Sequence, residues 1–383
     1  MDFGLTEEQF DLRNATIRFA QENLNDDVFS RDKSSEFSRK KWEKCADFGI
    51  QALPITKQHG GSSTDLMTTM LLMEALGYGC QDQGLLFSLH AQMWSVELPI
   101  LNFGTEQQKT RYLPGLCKGT LIGAHAMTEP GSGSDAFALK TRAEREGDSY
   151  TLNGSKTFVT NATEADLILA FATVASGQGM WGVSAFLVER GTEGCHIGKK
   201  LEKMGLRTSP MAQVSFENCR IPKDNLLGSE GQGSAIFAHS MAWERSCILA
   251  TTVGAMQRQL EKALAYSKER RQFGKRIGDF QLVASKIVDM KVRLETSRLL
   301  LYHAAWRQSQ ESKTTLEPAL AKLYISECAV QSALDAIQIH GGYGYMSEFE
   351  VERDLRDFLG GRLYSGTTEI QRVIIARCLG LSP

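Results

Sequence analysis

The pattern of this sequence changes at one stretch, Ala126-Met127-Thr128-Glu129-Pro130-Gly131-Ser132-Gly133-Ser134-Asp135. Up to about residue 120, apolar residues recur at helical spacing, and from about 121 to 230 short runs of β-type residues take over. The stretch itself is rich in glycine and hydroxyl residues and presents backbone N–H groups, as ligand-binding loops do. A plain connecting turn has the same composition, so the stretch alone indicates a junction and a candidate site.

The β-type region contains two runs, Ser149-Tyr150-Thr151-Leu152 and Thr157-Phe158-Val159-Thr160, on either side of Asn153-Gly154. Asn-Gly between alternating residues is a hairpin signal, so a hairpin is predicted there. After Gly233 helical spacing returns. It predicts a long helix from Gly233 through Arg270, further helices over residues 281–310 and 316–340, and a last helix after Gly366.

These residue patterns predict a mainly α protein with a central β domain. The division is an N-terminal helical domain over residues 1–120, a central β domain over 121–230 and a C-terminal helical bundle over 231–383. Because no long linker or repeat separates them, we expect one compact subunit.

Composition excludes several classes of protein. The 383 residues carry a net charge of −2, which leaves no basic surface for nucleic acid or an anionic membrane. The cysteines show no C-x-x-C pair, and no metal site is predicted. The beginning of the chain lacks a signal-peptide pattern, and no run of apolar residues reaches membrane-spanning length. The expected location is the cytoplasm.

Two further motifs are candidates for ligand binding. Residues 338–345 end a helix with Gly341, Gly342 and Gly344, more glycine than a helix cap needs, but without the G-x-G-x-x-G pattern of a Rossmann site. Residues 270–276 concentrate arginine and lysine around Phe273, which suits a pyrophosphate with an attached ring. Basic residues that complement a helix macrodipole would give the same pattern.

Glu244 is the candidate catalytic residue from its position on a helix. Its neighbours at spacings of three, four and seven are Phe237, Ser240, Met241, Cys247, Ile248 and Thr251. A carboxylate on such a mostly apolar face loses water, which raises its pKa towards that of a useful general base. A structural glutamate paired with a buried arginine is the alternative.

Together these motifs resemble the acyl-CoA dehydrogenase family. Residues 126–138 and 338–357 resemble its two signatures, and residues 203–210, 270–281 and 364–377 resemble further family segments. The resemblance runs through most of the chain. It implies an N-terminal helical domain, a middle β-barrel domain and a C-terminal four-helix bundle, an FAD cofactor and a homotetramer.

The resemblance also implies roles for individual residues. Those expected near the flavin or its phosphates within one subunit are Met127, Thr128, Ser134, Phe158, Thr160, Thr367 and Glu369. Those expected to reach the FAD of a neighbouring subunit are Arg270, Phe273, Gln281, Gln338, Gly341 and Gly342. Ser134 and Arg245 are expected to contact the substrate.

The sequence departs from the family pattern at two positions. Many members carry the catalytic base in a Tyr-Glu-Gly-Thr run, where this chain has Ser365. A branch that includes isovaleryl-CoA dehydrogenase carries it instead at the position matched by Glu244, the same residue that the apolar face indicates. Phe158 stands where the family usually has tryptophan, which implies altered tuning of the flavin.

The expected reaction is α,β-dehydrogenation of an acyl thioester, with Glu244 taking the α-proton while the β-hydrogen leaves as hydride to flavin N5. A short or branched acyl-CoA is the first candidate substrate, and a prolyl group tethered to a carrier protein is the alternative. A flavin monooxygenase and a non-catalytic binding protein are the remaining readings. Electron-transferring flavoprotein or oxygen is the expected acceptor.

Overall fold

The structure is a computed structural model that describes residues 4–175, 177–310 and 314–382. Its N-terminal part is helical, and capping boxes at Thr6 and Thr105 begin its first and last helices. A π-helical turn, Met93–Glu97, interrupts the helices before the β region. The helices are α1 Glu7–Asn23, α2 Val28–Ser34, α3 Arg39–Asp47, α4 Leu66–Gly79, α5 Gln83–Gln92, α6 Leu98–Phe103 and α7 Glu106–Cys117.

The middle part is a β-sheet. Its strands are β1 Gly123–Ala126, β2 Arg142–Glu146, β3 Ser149–Thr160, β4 Leu167–Thr173, β5 Val183–Glu189, β6 Cys195–Lys200, β7 Met211–Pro222 and β8 Leu226–Leu227. The order is β6-β7-β3-β2-β4-β5-β8, and β1 pairs in parallel with β4. Because β4 and β5 are buried on both faces, they are mostly apolar and do not alternate with polar residues.

The predicted hairpin at Asn153-Gly154 is wrong. β3 runs without a turn from Ser149 to Thr160 and pairs along its length with β7. Between Leu152 and Gly154 the register shifts, with Asn153 opposite two residues of β7, Glu217 and Asn218, so the extra residue of this irregularity belongs to β7. A second irregularity follows between Lys156 and Val159. Gly154 is needed because a Cβ at this position would lie 2.6 Å from the Thr141 Cα, and a close backbone approach requires glycine just as a hairpin turn does.

Helices return in the C-terminal part. They are α8 Gly233–Cys247, α9 Ala250–Glu269, α10 Gln281–Gln310, α11 Leu316–His340, α12 Gly342–Tyr345, α13 Val351–Leu359 and α14 Thr368–Cys378, with the short strands β9 Arg271–Gln272 and β10 Lys275–Arg276 before α10. The long helix predicted from Gly233 through Arg270 is therefore two helices that meet at Ile248 and Leu249. Neither glycine nor proline marks this break, so helical spacing did not reveal it.

A close crossing of α4 and α9 joins the N-terminal helices to the bundle. A Cβ on Gly77 would lie 2.0 Å from the carbonyl oxygen of Thr251, and one on Gly254 would lie 2.0 Å from that of Glu74. Only glycine permits backbones to approach this closely. The crossing fixes the start of α9, and with it the end of α8 that carries Glu244.

Among the described residues, no helix has the length and apolar composition needed to cross a membrane.

Candidate active site

Glu244 lies in the last turn of α8, and its carboxylate is buried. The residue is 9% exposed, and Met241, Cys247 and Ile248 around it are also buried. The predicted apolar surroundings of Glu244 are therefore present.

Two hydroxyl groups bind the Glu244 carboxylate, one on each oxygen. Ser95, in the π-helical turn, donates a hydrogen bond to Oε1. Ser365, in the turn before α14, donates to Oε2 over 2.6 Å. Three distant segments of the chain thus meet at one carboxylate. Sequence reasoning missed Ser95, because a single serine in an apolar run gives no signal of its partner.

The surroundings of Glu244 raise its pKa. Burial disfavours the charged form, while the hydrogen bonds from Ser365 and Ser95 and the positive charges of Arg245 and Lys322 oppose that rise only in part. In the described part of the chain no arginine or lysine forms an ion pair with this carboxylate. The neighbouring Arg245 donates to the Ser365 carbonyl oxygen instead. The reading of Glu244 as a structural partner of a buried arginine is therefore not supported.

The turn that carries Ser365 is held by side chains from three helices. Arg245 Nε donates to the Ser365 carbonyl oxygen over 3.1 Å, and Gln371 Nε2 donates to the same oxygen over 3.2 Å. Lys322 Nζ and Gln371 Nε2 donate to the Gly366 carbonyl oxygen over 2.6 and 2.8 Å. Ser365 has φ 53° and Gly366 φ 89°, both in the left-handed region. These four bonds hold a strained backbone in place.

Two stacked tryptophan rings lie near Ser95 and Glu244. Trp94 and Trp243, each adjacent in sequence to a residue of the carboxylate site, stack with centroids 6.3 Å apart. Trp94 Nε1 donates to His90 Nδ1 over 2.7 Å, so His90 Nε2 carries the ring proton and faces Thr251 Oγ1 at 3.1 Å. Burial lowers the pKa of His90 to about 3, which keeps the ring neutral. Trp94 is fully buried and belongs to the core.

The glycine- and serine-rich loop is fastened to β3. The Thr128 carbonyl oxygen accepts from the Thr157 N–H over 2.8 Å, and the Met127 carbonyl oxygen accepts from Lys156 Nζ over 3.2 Å. Ser134 lies at the exposed tip of this loop. The structure thus brings the predicted residues Met127 and Thr128 beside the end of β3.

Phe158 and Thr160 lie on that same end of β3. Phe158 occupies the second irregularity of the strand with φ 55°, and its side chain is 62% exposed. In the described residues the hydroxyl groups of Thr128 and Thr160 have no hydrogen-bond partner. An aromatic ring and two free hydroxyl groups are therefore available to a ligand at this end of β3.

The other predicted cofactor residues form a second group at the opposite end of the bundle. Arg270 places its guanidinium 5.7 Å from the centre of the Tyr343 ring, which brings the α9–α10 turn against the glycine turn after α11. Phe273 is 93% exposed. The exposed residues of this group are Arg270, Phe273, Gln281, Gln338, Gly341 and Gly342. Since α9 spans about 30 Å at 1.5 Å per residue, this group is far from Glu244 in the same chain.

Thr367 and Glu369 lie at the N-terminus of α14. Thr367 is its N-cap and accepts from the Ile370 N–H over 3.4 Å, and Glu369 is in the first turn. A helix N-terminus presents free N–H groups, which suit a phosphate. Sequence reasoning placed these two residues correctly on a helix start but missed Gln371 and Lys322, which hold the preceding turn.

Models of three consecutive domains match the chain: acyl-CoA dehydrogenase, N-terminal domain, over residues 6–120; middle domain over 124–219; and C-terminal domain over 231–380. The chain belongs to the acyl-CoA dehydrogenase family. Both the predicted family and the predicted fold of helical, sheet and helical parts are confirmed.

This member of the acyl-CoA dehydrogenase family is similar to relatives that are named for each of the two candidate substrates. It is 43% identical over 381 residues to L-prolyl-[peptidyl-carrier protein] dehydrogenase of Serratia sp., covering 100% of this chain and 99% of the relative. It is 40% identical over 375 residues to acyl-CoA dehydrogenase of Bacillus subtilis, covering 98% of each.

Two solved structures are similar throughout. The prolyl acyl carrier protein oxidase AnaB is 48% identical with a TM-score of 0.98, covering 99% of this chain and 100% of that one. PigA with FAD and proline is 42% identical with a TM-score of 0.97, and each chain is covered to 100%. These similarities favour the prolyl alternative over the short or branched acyl-CoA that sequence reasoning placed first.

Proposed function

We propose that this protein oxidises a prolyl group carried as a thioester on a carrier protein, with FAD as its cofactor and Glu244 as the base. The observation that carries the substrate class is the whole-length likeness to AnaB, at 48% identity and a TM-score of 0.98. The likeness to PigA, whose structure contains FAD and proline, supports the same substrate and cofactor.

The base has a defined task in this reaction. The proton on the prolyl α-carbon goes to Glu244, the hydrogen on the neighbouring ring carbon leaves with its electron pair, and a double bond forms between the two carbons. When bound, FAD accepts that hydride. The buried carboxylate suits the proton transfer because its raised pKa lets it hold the proton it has taken. Arg245 and Ser134 complete the proposed substrate contacts.

The residues around β3 fit a flavin ring. The free hydroxyl groups of Thr128 and Thr160 offer hydrogen bonds to a polar ring edge, and the exposed Phe158 offers an apolar face. Met127 lies in the loop alongside them. The Thr367 hydroxyl group and the backbone N–H groups of the first turn of α14, which contains Glu369, would bind the phosphates.

The second group of residues fits the FAD of a neighbouring subunit, in a homotetramer. Phe273, in the turn between β9 and β10, is 93% exposed, and Leu282 on α10 is 84% exposed. Helix α10 also leaves Val292, Leu299 and Trp306 exposed. Large apolar surfaces of this kind mark interfaces between chains. Gly341 and Gly342 have no atom within 4 Å of an added Cβ, so a ligand can approach their backbone. Arg270, Gln281 and Gln338 would contribute polar contacts.

The test is anaerobic mixing of the purified FAD-bound protein with possible substrates while the flavin absorbance is followed. Prolyl-loaded carrier protein should bleach the flavin, whereas the same carrier with an empty phosphopantetheine arm, butyryl-CoA and isovaleryl-CoA should not. Bleaching by an acyl-CoA alone would contradict the prolyl substrate. Absence of bleaching by every thioester would favour the monooxygenase and binding-protein readings.

The electron acceptor is the second part of this proposal, with oxygen first and electron-transferring flavoprotein as the alternative. AnaB is described as an oxidase, which supports oxygen. During turnover in air, oxygen consumption in proportion to product would support this choice. Turnover that requires an added electron-transferring flavoprotein would contradict it.

A further inference from the structure

Each oxygen of the Glu244 carboxylate accepts a hydrogen bond from a serine hydroxyl group, and the two serines come from different parts of the fold. Ser95 belongs to the π-helical turn between α5 and α6, and Ser365 belongs to the turn before α14. π-Helical turns are rare and often occur at functional sites, because the extra residue shifts a side chain out of the regular helical position. Here that turn presents Ser95 to Glu244.

Both hydroxyl protons are committed to the carboxylate. Within the described residues, Glu244 is the one hydrogen-bond partner of each serine side chain. A serine hydroxyl has a single proton, and an ionised carboxylate only accepts. The pair therefore favours the charged, unprotonated form of Glu244, which is the form that a base needs.

The position of Ser365 is set by its backbone. Arg245 and Gln371 bind its carbonyl oxygen, and Lys322 binds that of Gly366. Because these donors come from α8, α14 and α11, the hydroxyl group is anchored by the bundle as a whole. The carboxylate that it contacts therefore has little freedom to rotate.

We propose that Ser95 and Ser365 are positioning residues that hold both oxygens of Glu244 in place for proton abstraction. This inference rests on the proposed role of Glu244 as the base. It also assigns a role to the serine at the position where many relatives carry their own base: the hydroxyl group orients a carboxylate supplied by another helix.

Several other groups act on the same carboxylate and must be separated from the serines. Arg245 on α8 and Lys322 on α11 favour its charged form, and Tyr364 lies beside it. Burial lowers the pKa of Lys322 to about 7, so this lysine changes its charge near neutral pH, within the range over which the rate would be measured. The pH dependence of the rate would combine the ionisation of Glu244 with that of Lys322, whereas the infrared band of the Glu244 carboxyl group reports Glu244 alone.

The experiment uses the FAD-bound protein with Ser95→Ala, Ser365→Ala and the double variant. The carboxyl C=O band that disappears in Glu244→Gln is titrated by infrared difference spectroscopy, together with kcat/KM against pH. Each single variant should raise the pH at which Glu244 ionises by about one unit, a tenfold change in its ionisation constant, and the double variant should raise it further.

Two control variants separate positioning from general disturbance. Ser240→Ala removes a buried hydroxyl group one turn earlier on α8, where it bonds to the Ile236 carbonyl oxygen, and should leave the titration unchanged. Ser95→Thr keeps a hydroxyl group and should restore most of the effect lost in Ser95→Ala.

The outcomes for the serines and for the base are distinguishable. If Glu244 ionises at the wild-type pH in both Ser95→Ala and Ser365→Ala, the proposed role of the serines is overturned. Full turnover by Glu244→Gln would instead overturn the proposed base, whatever the band shows.

Discussion

Lys156 and Glu129 form a buried ion pair, with Nζ 2.7 Å from Oε1 and both side chains shielded from solvent. Lys156 also donates to the Met127 carbonyl oxygen, and the Lys140 and Thr141 N–H groups donate to Glu129 over 2.6 and 3.0 Å. The pair thus joins β3 to both ends of the glycine- and serine-rich loop. The loop that is proposed to present Met127 to the flavin is thus held from inside the sheet.

Lys156→Met should destabilise the fold by about 3–5 kcal/mol, because it leaves the buried Glu129 carboxylate without its counter-ion. It should also weaken FAD retention, because the loop loses its anchor. Chemical unfolding of the apoprotein and the flavin content after dialysis measure the two effects. The double variant Lys156→Met with Glu129→Leu should lose less than the sum of the single variants. A loss below about 1 kcal/mol in Lys156→Met would contradict this account of the pair.

Glu244→Gln should retain FAD and the native fold but reduce the rate of flavin bleaching by prolyl-loaded carrier protein about 10²–10⁴-fold. Glutamine keeps the volume of the side chain but cannot take the proton. Stopped-flow absorbance under anaerobic conditions gives the rate. Glu43→Gln, at a mostly exposed position on α3, is the control and should be unaffected. Retention of more than about a tenth of the wild-type rate would exclude Glu244 as the base.

The sequence predicts best those features that depend on local periodicity. The helices Gln281–Gln310 and Leu316–His340 were predicted with the bounds observed, because each keeps a helical pattern along its length. The hairpin predicted at Asn153-Gly154 was wrong, because Gly154 serves a close approach to Thr141 within a continuous strand and not a turn. Glu244 was identified from its own helix face. Ser95 was not, because its partner lies 149 positions away and depends on how the helices pack.

Phe273→Asp should leave the single chain folded but prevent assembly and weaken FAD binding. The ring is almost completely exposed and makes one edge contact with Phe280, so its loss costs the monomer little. A charge at this position would oppose burial against a neighbouring subunit. Light scattering gives the mass of the assembly, and Phe10→Asp on α1, also exposed, is the control. Wild-type mass with full FAD content would contradict the proposed intersubunit site.

Glu97 is a buried carboxyl group that has no part in the proposed mechanism. Its Oε1 accepts from Gln92 Nε2 over 2.7 Å, while Oε2 has no hydrogen-bond partner among the described residues. Burial raises the pKa of Glu97 from 4.5 to about 8, and the hydrogen bond from Gln92 opposes this only in part. The folded protein therefore keeps this proton between pH 4.5 and 8, where the unfolded chain has released it.

The sign of the effect follows from that difference in bound protons. Because the folded state binds more protons than the unfolded state in this range, Glu97 lowers the free energy of unfolding as the pH rises from about 4.5 to 8, by about 5 kcal/mol in total. Glu97→Gln keeps an oxygen for Gln92 and cannot ionise. The variant should therefore match the wild type near pH 5 and be more stable at pH 8, as measured by unfolding in denaturant at a series of pH values. If the two proteins keep the same difference in stability at every pH, Glu97 does not carry this proton.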